Sequence, residues 1–265
     1  MIRAARVAAG AGISRGGRAR WSILTRMLRP AVPPPLPLTL LRAAHPKQTL
    51  ATAVGLAAAA GVIGRPTEEV GLVFATVLVG QALLGWHNDV VDRHRDSKHD
   101  RPRKPLAQQH ADPGTLVFAI FCALLALVPL AVANGVTAGA CYLGSVLIGL
   151  LSNVAFRAGP LSWLPWAASY ALYPAFLSFG GYAGEGTDTP PTVLMTVLVA
   201  LLGVCVHVLT ALPGLVHDNQ DQIRSLPLRI ALRIGATPLL VASLVATAAV
   251  VVGIVLAGQT VGLRQ

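Results

Sequence analysis

Charge is scarce in this chain. Asp, Glu, Lys and Arg make up 12% of its 265 residues, while hydrophobic residues make up 54%. An ordinary soluble domain carries about 25% charged residues, so a water-soluble globule is excluded and a polytopic membrane protein is implied. Acids are the scarcer sign, 11 against 21 Lys and Arg, which leaves a formal net charge of +10. Aromatic residues reach 5%, and no stretch interleaves them with a basic surface, so nucleic acid is excluded as a partner. The basic excess instead fits orientation in a bilayer and contact with anionic membrane lipids. Cys122, Cys141 and Cys205 all lie inside apolar runs at no metal-ligand spacing, which excludes a disulfide framework and a thiolate metal site.

Residues 1–35 have no acid at all and no continuous apolar core of the secretory-signal kind. They carry Arg3, Arg6, Arg15, Arg18, Arg20, Arg26 and Arg29 and stop at Val32-Pro33-Pro34-Pro35. We read them as a basic disordered tail that contacts anionic lipid or precedes the true start, although such composition also resembles an organellar transit peptide. Residues 36–265 form the membrane domain.

What the chain has in abundance is apolar runs. They lie at 49–64, 70–87, 114–133, 136–156, 161–183, 192–213 and 236–258, long enough to span or nearly span a bilayer. The expectation is an all-α transmembrane bundle of about seven helices. Lys and Arg collect on the cytoplasmic side of short loops. With the N-terminus inside, all of the 21 Lys and Arg except Arg65 and Arg264 fall on that side. The chain is therefore expected in a bacterial-type plasma membrane with its N-terminus cytoplasmic and its C-terminus outside. Leu36 to Pro46 reads as a short amphipathic approach, with Arg42 and His45 near the headgroups.

One polar stretch stands out against this background, Asn88-Asp89-Val90-Val91-Asp92-Arg93-His94-Arg95-Asp96. If the preceding helix continues, Asp89, Asp92 and Asp96 share one face, and Asp100 extends the stripe. Converging carboxylates repel unless a cation lies between them. Mg²⁺ takes hard oxygen ligands and commonly bridges a few carboxylates to phosphates, so the stretch reads as a diphosphate site. The bland alternative is a solvated loop neutralised by Arg93, Arg95, Lys98, Arg101, Arg103 and Lys104. A second acidic loop, Asp218 to Asp221, lies on the same predicted side, with Arg224 nearby. Trp163, Trp166, Tyr170 and Tyr173 recur at helical spacing, either as an interfacial belt or as a stripe whose π faces meet a cation inside the bundle. The D-G-x-x-A-R signature of CDP-alcohol phosphotransfer is absent, as is a nucleophile with paired His and Arg for a lipid phosphatase.

These residues resemble the UbiA-type intramembrane prenyltransferases. Asn88-Asp89-x-x-Asp92-x-x-x-Asp96 matches the family's first Asp-rich motif, and Lys104-Pro105-Leu106-Ala107 is similar to the element that follows it. Arg42-x-x-His45-Pro46 resembles its entry, and Asn153-x-x-x-Arg157 its Tyr-x-x-x-Lys with Asn for Tyr. Asp218 falls on the second acid of its D-x-x-x-D, while Gly214 stands at the first. Family members typically have nine helices. The resemblance implies Mg²⁺ on Asp89, Asp92, Asp96 and Asp218, departure of diphosphate aided by Lys104 and Arg157, and substrate contacts from Asn88, Arg42, Asn153, Asp221, Arg224 and Tyr170. It implies transfer of a prenyl or polyprenyl group from a prenyl diphosphate to a lipophilic or aromatic acceptor of the quinone-precursor type. The alternative is a non-catalytic relative that binds prenyl diphosphate or a membrane partner, its second motif being incomplete.

Overall fold

Each of the seven apolar runs contains a helix in the computed structural model, which describes residues 35–99, 106, 112–181 and 189–260. In chain order the α-helices are α1 (Leu36–Ala43), α2 (Pro46–Val62), α3 (Thr67–Lys98), α4 (Pro113–Ala133), α5 (Val136–Val154), α6 (Leu164–Ser178), α7 (Val193–Ala211), α8 (Leu215–Gln220), α9 (Leu226–Ile234) and α10 (Ala236–Thr260). Besides a helix in each of the seven expected runs, the described residues hold three short ones, of which α1 lies in the expected amphipathic approach. The additions, α1, α8 and α9, have 8, 6 and 9 residues, too short for the runs that a span requires. The basic tail lies outside the described residues.

Local chemistry sets the ends of these elements. Asp112 accepts from the Thr115 backbone N–H at 3.3 Å, with Pro113 at the first helical position of α4. Thr192 caps α7 in the same way through the Met195 N–H. Between α4 and α5 the chain reverses at Gly135, whose φ of 107° a side chain would strain. Helix α3 has 32 residues and is ~48 Å long at ~1.5 Å per residue, against a hydrocarbon core of about 30 Å. One helix therefore carries both a span and the acidic row at its end.

Successive helices from α2 to α7 pack side by side, α10 packs on α7, and α3 also contacts α5. Their shared interior holds Val73, Val77, Leu83, Leu127, Tyr142 and Phe176, all buried. The outside is just as apolar. Phe118, Leu125, Val193 and Val245 are 70%, 77%, 80% and 64% exposed, which water would not tolerate over so large a face and hydrocarbon does. Helices α3, α4, α5, α10 and the run Val193–Gln220 are long and apolar enough to cross a membrane. Helices α2 and α6, at 17 and 15 residues, are shorter than the ~20 residues of a full span.

Polar side chains and backbone groups tie off the two ends of the bundle. At one end the Arg65 guanidinium donates to the Leu177 and Gly180 carbonyls, and Asn134 donates to Thr76 Oγ1 at 2.9 Å. At the other end Gly159 N–H donates to Arg224 O at 3.0 Å and Ser162 Oγ accepts from Leu226 N–H at 2.9 Å. These bonds join the α5–α6 loop to the segment after α8, so Arg157 and Asp218 come to the same end as the acidic row.

Candidate active site

The site begins with a close approach. A Cβ on Gly85 would lie 2.8 Å from the Ala44 carbonyl carbon and oxygen, so glycine is what lets the α1–α2 corner touch α3. Trp86 Nε1 donates to Leu40 O at 2.8 Å and fixes that corner. His45 turns there with φ 53°, and its Nε2 lies 3.1 Å from Asp89 Oδ1.

One turn further along α3, Asp92 takes hydrogen bonds from Asn88 Nδ2 at 3.3 Å and Arg157 Nη2 at 2.7 Å. Asp89, Asp92 and Asp96 are 2%, 6% and 1% exposed. The helix continues through the row as its spacing implies, and the carboxylates face inward rather than into water, against the solvated-loop reading. Carboxylates buried this deeply require cationic or hydrogen-bonding partners. Opposed elements supply them to Asp89 and Asp92 from positions far away in sequence, His45 and Arg157.

The second acidic loop meets the same helix. Asp218 Oδ1 accepts from Arg95 Nη2 at 2.6 Å, and Asp221 Oδ2 lies 3.0 Å from Arg95 Nε. Asp221 also lies 2.9 Å from His99 Nε2. That hydrogen bond, followed by the charges of His99, Arg95 and Lys98, holds the Asp221 carboxyl below its ordinary range against the opposing effect of burial. Burial lowers the Arg157 pKa while Asp218 raises it, so Arg157 is electrostatically coupled to both acidic segments.

Some expected residues stand elsewhere. Arg42 is exposed on α1. Arg224 contributes its backbone carbonyl, to Gly159 N–H and Arg229 Nε. Asn153 donates to Leu84 O and lies 3.2 Å from His87 Nδ1, one turn short of the acids. Lys104 and Asp100 lie outside the described residues. The spacing arguments did not assign His45, Arg95 and His99 as partners of specific acids. Their acid partners are 44, 123 and 122 positions away, and no local pattern announces such pairs.

Below the acids runs a column of aromatic rings. From His207 it passes to Trp166 (5.4 Å between centroids), Tyr170 (6.5 Å), Tyr173 (4.9 Å), Tyr142 (6.4 Å) and Phe176 (5.0 Å). Trp166, Tyr170 and Tyr173 therefore face the bundle interior, while Trp163, the first residue of that stripe, is partly buried just before α6. Gln81 donates to the Tyr173 hydroxyl at 3.3 Å. Asp89 follows Gln81 by eight residues on α3, ~12 Å along the axis.

A divalent cation fits the row by donor chemistry. Asp89 with Asp92, or Asp92 with Asp96, offers hard oxygens one turn apart, and Mg²⁺ fills its remaining positions with water and phosphate oxygens. Among the described residues no three acidic, His or Cys side chains form a ready-made cage.

Known proteins resemble this chain in sequence and in fold. A family model described as the UbiA prenyltransferase family matches residues 49–263. Chlorophyll synthase, chloroplastic, of Arabidopsis thaliana is 24% identical over 221 residues, which cover 78% of this chain and 53% of that protein. The chain thus spans about half the length of that curated relative. A UbiA homolog from Archaeoglobus fulgidus has a similar fold in its structures bound to GPP and Mg²⁺ (TM-score 0.62, 17% identity, 80% of this chain and 77% of that one) and to DMAPP and Mg²⁺ (TM-score 0.62, 19% identity, 81% and 76%).

Proposed function

This chain belongs to the UbiA prenyltransferase family, and from that premise we propose that it is a membrane-embedded enzyme that moves a prenyl group from a prenyl diphosphate to a lipophilic or aromatic acceptor. The observation that carries this reading is the juxtaposition of Asp89, Asp92 and Asp96 with Arg157 at one end of an aromatic interior. The related archaeal structures hold GPP or DMAPP with Mg²⁺, ligands that match the two halves of this site.

Mg²⁺ held by the row Asp89, Asp92 and Asp96 would neutralise the diphosphate and favour its departure, while Asp218 on the facing loop is paired with Arg95. The chain's own residues do the rest. Arg157, already paired with Asp92, supplies a fixed positive charge beside the leaving group, and the resemblance to the family suggests the same role for Lys104. Asn88 holds Asp92 in place. The prenyl tail enters the aromatic column, where the faces of Trp166 and Tyr170 stabilise an allylic cation. The surrounding apolar side chains keep water from quenching it.

A binding-only relative is the second reading, favoured by Gly214 at the place of an acid and by Arg95 lying on both Asp218 and Asp221. Incubating the purified protein with geranyl diphosphate, Mg²⁺ and a membrane lipid extract separates the two. A prenylated lipid product detected by mass supports transfer, and binding of the diphosphate without any product supports the second reading.

A further inference from the structure

Displacing a diphosphate by two-cation chemistry needs positive charge from both sides of the leaving group. On the α3 side the acidic row can hold one divalent ion. On the other side the second loop offers Asp218 and Asp221, with Gly214 contributing no carboxylate. Both of these acids converge on Arg95. Its Nη2 is 2.6 Å from Asp218 Oδ1 and its Nε is 3.0 Å from Asp221 Oδ2, with the three side chains 19%, 14% and 20% exposed. His99, 2.9 Å from Asp221, closes the cluster from the end of α3, with its ring 4.6 Å from that of His217.

A guanidinium does not give up its charge, and its planar fork matches pairs of carboxylate oxygens. An ion entering between Asp218 and Asp221 would have to displace a tethered cation that is hydrogen-bonded to Asp218 and in ionic contact with Asp221. Like charge repels it. The sequence order places Arg95 between Asp92 and Asp96 on α3, so the same side chain links the acidic row to the second loop.

We propose that Arg95 is the second cation of this site, a positioning residue that clamps the Asp218 loop onto α3, so that the chain takes one divalent ion per site rather than two. The proposal rests on the reading of the acidic row as a metal–diphosphate site. Gly214 is then no defect, because a loop neutralised by Arg95 has no second ion to coordinate.

Counting bound ions tests this without recourse to turnover. The full chain, purified in detergent with geranyl diphosphate, is titrated with Mn²⁺ in place of Mg²⁺, and free Mn²⁺ is followed by electron paramagnetic resonance. We expect one ion per wild-type chain, one for Arg95→Lys, and two for Arg95→Gln if it elutes as a monodisperse species. Two ions on the wild type overturn the role of Arg95 whatever the variants do, and leave the acidic row intact as a metal site. One ion on a monodisperse Arg95→Gln overturns it as well. No ion on the wild type overturns both this proposal and the metal-site reading beneath it.

Discussion

The Arg157 guanidinium donates through Nη2 to Asp92 Oδ2 at 2.7 Å, joining side chains 65 positions apart. Asp92 is 6% exposed, so this pair lies where removing one partner strands a buried charge. Arg157→Ala should cost about 3 kcal/mol of stability, the order of a broken buried pair. Thermal unfolding in detergent should show the loss, with Arg157→Lys losing less. Adding Mg²⁺ with geranyl diphosphate should restore part of it, because bound cation replaces the missing guanidinium and binding stabilises the native state.

The acids of the first row should not be equivalent. Asp89 and Asp92 face the α1–α2 corner and the Arg157 loop, whereas Asp100 follows the end of α3 beside Arg101 and Arg103. Asp89→Ala and Asp92→Ala should each abolish geranyl diphosphate binding in isothermal titration with Mg²⁺. Asp100→Ala should keep it within a few-fold. Equal losses at all three positions would make the stripe one extended site, and equal retention would return it to a solvated loop.

Tyr170 is 9% exposed and lies between the tilted rings of Trp166 and Tyr173. If its π face meets the allylic cation, Tyr170→Leu should lower kcat about ten-fold, the rate equivalent of a cation–π contribution of about 1–2 kcal/mol. Tyr170→Phe keeps the ring and should stay within about three-fold of wild type. Steady-state kinetics with geranyl diphosphate distinguish the two, and equal losses would assign the effect to the hydroxyl instead.

Much of this architecture was legible in the chain because it is periodic. Apolar runs announce helices, and Asp89, Asp92 and Asp96 keep helical register beyond the apolar run, so both the long α3 and the shared face of its acids follow from spacing. The stripe Trp166, Tyr170, Tyr173 is periodic too, but period alone did not choose between interface and interior; packing of α6 against α5 and α7 did. Short helices were harder to read. Helix α8 has 6 residues, less than two turns, and leaves almost no pattern. The ionic partners were the least legible. His45 reaches Asp89 through a left-handed corner and a glycine contact, and Arg95 reaches Asp218 only because the bundle folds α8 back onto α3.

Topology offers an independent check. The distribution of Lys and Arg predicts that both acidic loops lie in the cytoplasm and the C-terminus outside. Reporter fusions at Gln108 and Gln222 should report the cytoplasm, and a fusion at Gln265 the opposite side. Cytoplasmic reporting from all three would require an even number of crossings in place of the expected seven.

The most direct measurement is release of diphosphate from radiolabelled geranyl diphosphate by the purified protein with membrane lipid extract, with and without Mg²⁺, in the wild type and in Asp92→Asn. The substitution is nearly isosteric and removes the carboxylate charge that faces Arg157. We predict Mg²⁺-dependent release by the wild type, accompanied by label in the lipid fraction, and at least a hundred-fold loss in Asp92→Asn, on the order of 3 kcal/mol in barrier height. Release that is independent of Mg²⁺, or equally fast in Asp92→Asn, would contradict the assignment of this acidic row as the seat of prenyl transfer.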